Sequence, residues 1–186
     1  MKIQMRLFIG IPVTGLLRQQ LSHVIGHLEG QKAAEGVRWH NPDMLHLTLR
    51  FLGETALSEI PEILAALSLI ARQHQAFEVP ISRITVFPPA HPFVVVAKTP
   101  RVEQLLLLQD AVENTLKQLG ILPDQRSFKP HITLGRWRDK SIRYFDYSNC
   151  QVDQELMVDQ LVLYSSEPQS GESRYVIEKR FALLKS

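Results

Sequence analysis

The sequence lacks several features by which classes of protein are recognised. It has one cysteine, Cys150, so no disulfide can form within the chain, and a secreted, disulfide-stabilised scaffold is excluded. Lys and Arg exceed Asp and Glu by only two residues, 21 against 19, which is too small a surplus to capture nucleic acid through overall charge. No apolar stretch reaches the roughly 18 to 20 residues of a membrane span. We therefore expect a cytoplasmic protein with no membrane contact.

What the sequence contains is ordinary for one globular domain. Hydrophobic residues make up 45% of the 186 positions and charged residues 22%, and a chain of this length can bury a sizeable core. Three segments have helical spacing, with Thr14 and Ser58 as N-caps of the first two: LLRQQLSHVIGHLEGQ, SEIPEILAALSLIARQH and RVEQLLLLQDAVENTLKQLG. Stretches rich in β-branched and aromatic residues predict eight strands: MRLFIGI, GVRW, LHLTLRFLG, FEVPISRITVFP, PFVVVAKT, SFKPHITLGRW, ELMVDQLVLYSS and RYVIEKRFAL.

One tetrapeptide pattern occurs twice, as HLTL from His46 and as HITL from His131. Side chains alternate between the two faces of a strand. His46 and Thr48 are therefore expected on one face, and the same holds for His131 and Thr133. Each strand presents an imidazole and a hydroxyl, anchored by apolar neighbours on the opposite face.

Two such strands that meet across a cleft would surround one small anion. Two histidines that flank a phosphate form an acid-base pair, because the ordinary histidine pKa of about 6.5 allows one ring to be neutral and the other protonated. Threonine hydroxyls can donate hydrogen bonds to the non-bridging oxygens. This chemistry needs neither a metal nor a cofactor. A single His-x-Thr in a strand is usually a packing feature, and chance repetition is the alternative that the residues leave open.

The surroundings of both motifs, VRWHNPDMLHLTLRFLGE and RSFKPHITLGRW, resemble the 2H phosphoesterases. Among these, the chain is most similar to the bacterial and archaeal RNA 2′,3′-cyclic phosphodiesterases, long called 2′-5′ RNA ligases. The resemblance covers nearly the whole chain. It implies an α+β fold, with residues 1–186 forming a single bilobal domain in which a pseudo-two-fold pair of antiparallel β-sheets lines a central cleft and helices lie outside.

The resemblance also implies roles for the motif residues. His46 would protonate the departing 3′ oxygen and His131 would activate water, which leaves a 2′-phosphate on the product. Thr48 and Thr133 match the threonines that bind phosphate. Arg136 matches an arginine that often follows the second motif and contacts the phosphate.

Strand alternation bears on two arginines near the motifs. It places Arg136 on the same face as Leu134, so a bend or bulge after Gly135 is needed to bring Arg136 to the phosphate. The same alternation predicts that Arg50 faces the cleft beside Thr48, where relatives commonly carry a lysine.

The expected function is metal-independent hydrolysis of RNA 2′,3′-cyclic phosphate ends by a monomer without cofactors. The same site run in reverse is expected to give weak 2′-5′ RNA ligation. Two alternatives remain open at this point. One is a 2H enzyme that acts on a small cyclic nucleotide or on ADP-ribose cyclic phosphate, and the other is a non-catalytic module that binds RNA ends.

Several further residues have more than one interpretation. A run of basic residues forms either an RNA-binding rim or a solvated face: Arg126, Lys129, Arg136, Arg138, Lys140 and Arg143. Three aromatic residues near the motifs either stack on a base or belong to the core: Trp39, Phe128 and Trp137. Three histidines fall in or beside turns and are given no role: His40, His74 and His91.

Overall fold

A computed structural model describes residues 3–88, 93–138, 144–169 and 172–185. It contains three α-helices: α1 (Gly15–Glu29), α2 (Ile60–Ala71) and α3 (Glu103–Gln118). Its strands are β1 (Gln4–Pro12), β2 (Val37–Trp39), β3 (His46–Ala56), β4 (Phe77–Val79), β5 (Arg83–Phe87), β6 (Val94–Lys98), β7 (His131–Trp137), β8 (Leu156–Val158), β9 (Gln160–Gln169) and β10 (Glu172–Ala182). In the described part of the chain, no helix is both long enough and apolar enough to span a membrane.

The three predicted helices are confirmed, and the differences from prediction have local causes. Helix α2 has Glu59 rather than Ser58 at its N-cap position, and Pro61 falls in its first turn, where a proline costs no helical hydrogen bond. The segment predicted as one strand around Pro80 forms β4 and β5 instead, because β4 pairs with β8 in a separate two-stranded sheet. The predicted strand around Asp159 is likewise divided, into β8 and β9.

Eight strands form one antiparallel sheet, which confirms the predicted α+β class. The order along the sheet is β10-β9-β1-β3-β7-β6-β5, and β2 pairs with β7 off this path. The two halves of the sheet meet where β3 pairs with β7, through a single residue pair, Leu47 and Ile132. We call this pair of residues the joint, and each half of the sheet ends there with one of the two repeated motifs.

The two faces of the sheet differ in chemistry. On one face, Leu47, Leu49, Ile132 and Leu134 are at most 4% exposed and share one hydrophobic core with the buried residues of the helices. The opposite face carries the polar motif residues, and we call it the motif face: His46, Thr48, His131 and Thr133. Burial of the leucines and isoleucine against the helices is what fixes the orientation of these polar side chains.

A β-bulge interrupts each motif strand at the same motif position. The pairing of β1 with β3 passes from Thr48 to Arg50 and skips Leu49. The pairing of β6 with β7 passes from Thr133 to Gly135 and skips Leu134. The extra residue in each bulge shifts the alternation of side chains by one, so the residues after the bulge lie on the opposite face from the one that strict alternation predicts.

The two bulges correct both predictions about the arginines. In β7, Val96 pairs with Thr133 and Val94 pairs with Arg136, so Arg136 lies on the motif face, and the bulge that allows this precedes Gly135 rather than following it. In β3, Arg50 pairs with Ile9 of the core-facing side. The prediction that Arg50 faces the cleft is therefore wrong.

Arg50 is instead a buried cation that links β3 to the helix layer. Its side chain is 6% exposed, and its Nε lies 2.9 Å from Oε1 of Glu113 in α3. Its guanidinium also donates to the backbone carbonyl of Leu122 and lies 3.8 Å from the carboxylate of Asp124. These contacts connect the first motif strand to the loop that leads into the second.

We predict that Arg50→Ala lowers the free energy of unfolding by about 3 kcal/mol, because it leaves Glu113 partly buried without its counter-ion. Chemical denaturation of the variant and the parent protein measures this difference. Arg126→Ala is the matched control: Arg126 contacts the same Asp124, but its side chain is 74% exposed, so its loss should cost less than about 1 kcal/mol. Equal losses for the two variants would contradict this account.

Candidate active site

Four motif side chains surround the joint between the two halves of the sheet. Because Leu47 pairs with Ile132 on antiparallel strands, His46 lies toward Thr133 and Thr48 lies toward His131. All four are partly exposed on the motif face. The two histidines occupy diagonal positions across the joint, for which Cα atoms are typically about 7–8 Å apart. Both imidazoles therefore lie near the same point of the motif face.

Both imidazoles are oriented by the same hydrogen bond. His46 Nδ1 donates to the backbone carbonyl of Met44 at 2.8 Å, and His131 Nδ1 donates to the carbonyl of Lys129 at 2.6 Å. In each case the acceptor lies two residues before the histidine. A carbonyl can only accept, so Nδ1 carries the proton, and Nε2 is the nitrogen left to accept or donate a proton in the pocket.

The surroundings of His46 are aromatic. Its ring centroid lies 4.8 Å from Phe8, 5.3 Å from Tyr164 and 5.2 Å from Tyr175. Gly10 on the neighbouring strand makes space for this arrangement, since a Cβ there would lie 3.0 Å from the carbonyl oxygen of Leu47 and 3.5 Å from Cδ2 of His46. The first half of the sheet thus holds its histidine in an apolar, closely packed environment.

The surroundings of His131 are more polar and more cationic. One aromatic ring, Phe87, lies 5.5 Å from its ring centroid. Lys98 pairs with His131 across the strands, and Arg83 pairs with Lys98. Arg136 lies on the same face with its guanidinium 5.3 Å from the ring centroid of Phe93. The second half of the sheet therefore supplies most of the positive charge near the joint.

The chain is similar to proteins of a known family. A family model described as the 2′-5′ RNA ligase superfamily matches residues 18–169, more than half of the chain. The chain belongs to this superfamily.

Relatives of this superfamily member are similar over most of their length. A protein of Archaeoglobus fulgidus named RNA 2′,3′-cyclic phosphodiesterase is 33% identical over 138 residues, covering 74% of this chain and 75% of the relative. A Thermotoga maritima protein of the same name is 30% identical over 169 residues, covering 87% of each. The crystal structure of a Thermus thermophilus protein, TT0787, has a TM-score of 0.82 at 28% identity and covers 96% of this chain and 98% of that one. The predicted family and fold are thereby confirmed.

Burial keeps the imidazoles of this 2′-5′ RNA ligase superfamily member neutral. The pKa of His46 is lowered from 6.5 to about 4, chiefly by burial; the hydrogen bond to the Met44 carbonyl opposes this shift, and the nearby His40 and His131 contribute smaller lowering effects. Burial also lowers the pKa of His131, and the positive charge of Arg136 adds to this effect. A bound phosphate would raise both pKa values, since a nearby negative charge favours the protonated form of histidine.

Sequence reasoning missed two residues of the motif face. Phe51 is 48% exposed and pairs with Phe8, which puts its side chain on the same face as Thr48. It occupies the position in the first motif strand that Arg136 occupies in the second. The sequence signal that could have found Phe51 is its position five residues after His46, since Arg136 likewise follows His131 by five residues. The second missed residue is His40, whose proximity to His46 depends on the pairing of β2 with β7 and has no local signal.

Other candidates lie away from the motif face or outside the described residues. Trp137 is buried in the core, and Trp39 and Phe128 pack against it, so these aromatics are core residues. Cys150 is a free, buried thiol whose pKa is raised by burial. His91 and two members of the basic run, Lys140 and Arg143, lie outside the described residues. Among the residues that are described, no three His, Cys, Asp or Glu side chains form a group able to hold a metal ion.

The lowered pKa of His46 predicts how stability depends on pH. Between pH 6.5 and about 4, the unfolded chain binds a proton at this position and the folded protein does not. The free energy of unfolding should therefore be highest above pH 6.5 and fall as the pH drops through this window, by about 1.4 kcal/mol per pH unit for one such group.

His46→Phe removes this titration and keeps an aromatic ring in the packed environment. Urea unfolding from pH 4.5 to 7 should show a shallower slope for this variant than for the parent protein. His23→Ala, at an exposed position on α1, serves as the control and should leave the slope unchanged. Equal slopes for the parent and His46→Phe would show that His46 is not held neutral by burial.

Proposed function

We propose that this protein hydrolyses 2′,3′-cyclic phosphates at RNA ends to 2′-phosphomonoesters, with His46 and His131 as its acid-base pair. The observation that carries the proposal is the single pair Leu47 and Ile132, because it brings both His-x-Thr motifs to one face at one point. The names of the two relatives support the choice of substrate.

The proposed reaction moves one proton at each histidine. Water attacks the phosphorus and gives a proton to Nε2 of neutral His131, while the bond from phosphorus to the 3′ oxygen breaks. Protonated His46 gives its Nε2 proton to that departing oxygen, which leaves a 3′-hydroxyl and a 2′-phosphate. The charge of Arg136 beside His131 favours the neutral form that a general base needs. The negative charge of the substrate favours the protonated form that His46 needs.

Three further side chains on the motif face are suited to hold the phosphate. Thr48 and Thr133 lie next to the imidazoles of the opposite strands, and their hydroxyls can donate to the non-bridging oxygens. Arg136 supplies a positive charge on the same face. Charge on these oxygens increases in the transition state, so donors fixed in place by the strands stabilise it more than they stabilise the bound substrate.

We expect His46→Ala and His131→Ala each to lower turnover of a cyclic-phosphate RNA by at least about a hundredfold, since each removes one proton-transfer group. The measurement is cleavage of a defined oligonucleotide with a 2′,3′-cyclic end, followed by identification of the phosphate position on the product. EDTA should have little effect. Substantial activity in the double variant, or a 3′-phosphate product, would refute the proposal.

The cationic row beside His131 supports a polymer rather than a mononucleotide as the substrate. Arg83, Lys98 and His131 lie side by side on three adjacent strands, and neighbouring strands are about 4.8 Å apart. Arg83 and Lys98 are both exposed. Backbone phosphates of an RNA strand that reaches the joint would lie along this row, whereas a cyclic mononucleotide ends before it.

The double variant Arg83→Gln/Lys98→Gln tests this path. The ratio of kcat/KM for a cyclic-ended oligonucleotide to that for the cyclic mononucleotide should fall by about tenfold. The slope of log kcat/KM for the oligonucleotide against log salt should also become shallower by about 1.4, or about 0.7 for each lost phosphate contact. Lys32→Gln/Lys117→Gln, which changes one exposed lysine just after α1 and one in α3, is the control. An unchanged ratio would favour a small cyclic nucleotide or ADP-ribose cyclic phosphate as the substrate.

The proposal extends to ligation and to the state of the protein. If a 5′-hydroxyl of a second RNA took the place of water, the same proton transfers would form a 2′-5′ phosphodiester. We propose this ligation as a weak side activity. We further propose that residues 1–186 act as one domain and as a monomer in the cytoplasm.

A further inference from the structure

A third histidine lies on the motif face although nothing in its local sequence indicates it. In the antiparallel pairing of β2 with β7, Arg38 faces Arg136 and Trp39 faces Gly135. The backbone N–H of His40 continues this pairing by donating to the carbonyl of Leu134 at 2.8 Å. Since side chains alternate, His40 lies on the same face as Arg136.

The ring of His40 is close to the proposed acid. Its centroid lies 6.1 Å from that of Tyr175, and the centroid of His46 lies 5.2 Å from the same tyrosine ring. Two ionisable side chains from other strands interact electrostatically with His40: Arg136 on β7, which lowers the pKa of His40, and His46 on β3, whose pKa His40 lowers. Arg38 precedes His40 by two residues on β2 and shares its face by alternation. His40 therefore lies near both the proposed acid and the arginine of the second motif strand.

The ring nitrogens of His40 can form hydrogen bonds with a ligand. Burial and, to a smaller extent, the positive charge of Arg136 lower its pKa from 6.5 to about 4, so the ring is neutral at pH 7 and has one N–H donor and one acceptor nitrogen. Within the described ranges, neither ring nitrogen is hydrogen-bonded to a protein group. The residue is only partly buried, so a ligand at the joint can reach it.

We infer that His40 is a third imidazole of the site and donates a hydrogen bond to a non-bridging oxygen of the bound phosphate, on the side of Thr133 and Arg136. The inference rests on the proposed function insofar as the phosphate is that of an RNA end. A neutral donor suits this position, because another permanent cation would repel Arg136 and oppose protonation of His46. His40 is thus assigned to phosphate binding, with His46 and His131 retaining the proton transfers.

Binding of a nucleoside 2′-monophosphate, the smallest form of the proposed product, tests the inference. His40→Phe keeps a ring against Tyr175 and removes the donor, and it should weaken binding by about tenfold or more, as expected for one hydrogen bond to a charged group. His40→Gln retains an N–H donor and should recover most of this loss. His23→Ala on α1 is the control and should bind like the parent protein. Thermal unfolding of each variant establishes that the fold is intact.

NMR of the parent protein gives a test that no variant can confound. Saturating 2′-monophosphate should shift the ring ¹⁵N signals of His40 together with those of His46 and His131. If the His46 and His131 signals shift and those of His40 do not, or if His40→Phe binds as tightly as the parent protein, the inference is wrong and the proposed function stands. If the parent protein binds the ligand through His40 but fails to hydrolyse cyclic-ended RNA, the proposed function is wrong and this anion site stands.

Discussion

The pairing of Leu47 with Ile132 is the contact on which the site depends. It is the only residue pair between the two halves of the sheet among the described residues, and both of its side chains are fully buried against the helix layer. Because the strands are antiparallel, a residue before Leu47 lies opposite a residue after Ile132. This one contact therefore converts two separate His-x-Thr sequences into a four-membered group on one face. A shift of either strand by one residue would turn the histidine and threonine of that strand into the core.

The two halves share a backbone plan and differ in chemistry. Each motif has a bulge at its final leucine, Leu49 or Leu134, and each bulge returns the next-but-one residue to the motif face. In the first half that residue is Phe51, beside an aromatic cluster. In the second half it is Arg136, on the face that also carries Lys98 and Arg83. The apolar half surrounds the proposed acid and the cationic half surrounds the proposed base, so the symmetry of the fold need not produce symmetry of function.

Burial has opposite effects on the site before and after an anion binds. In the protein alone it lowers the pKa of His40 and His46 to about 4, so the pocket avoids the repulsion of three imidazolium groups near Arg136. A phosphate placed in the same low-dielectric surroundings interacts more strongly with each ring than it would in water. Burial thus keeps the rings uncharged in the protein alone and strengthens their response to a bound anion. The fixed Nδ1 hydrogen bonds of His46 and His131 ensure that this response occurs at Nε2.

The sequence by itself determined the three helices, the antiparallel α+β class, the family and the common face of His46 with Thr48 and of His131 with Thr133. These follow from periodicity and from a repeated pattern, which are local properties of the chain. Only the tertiary structure decided the faces of Arg50 and Phe51, because a bulge depends on how a neighbouring strand pairs and not on the residues that form it. It also decided that His40 lies beside His46, since β2 is placed there by pairing with β7, a strand far from it in the sequence.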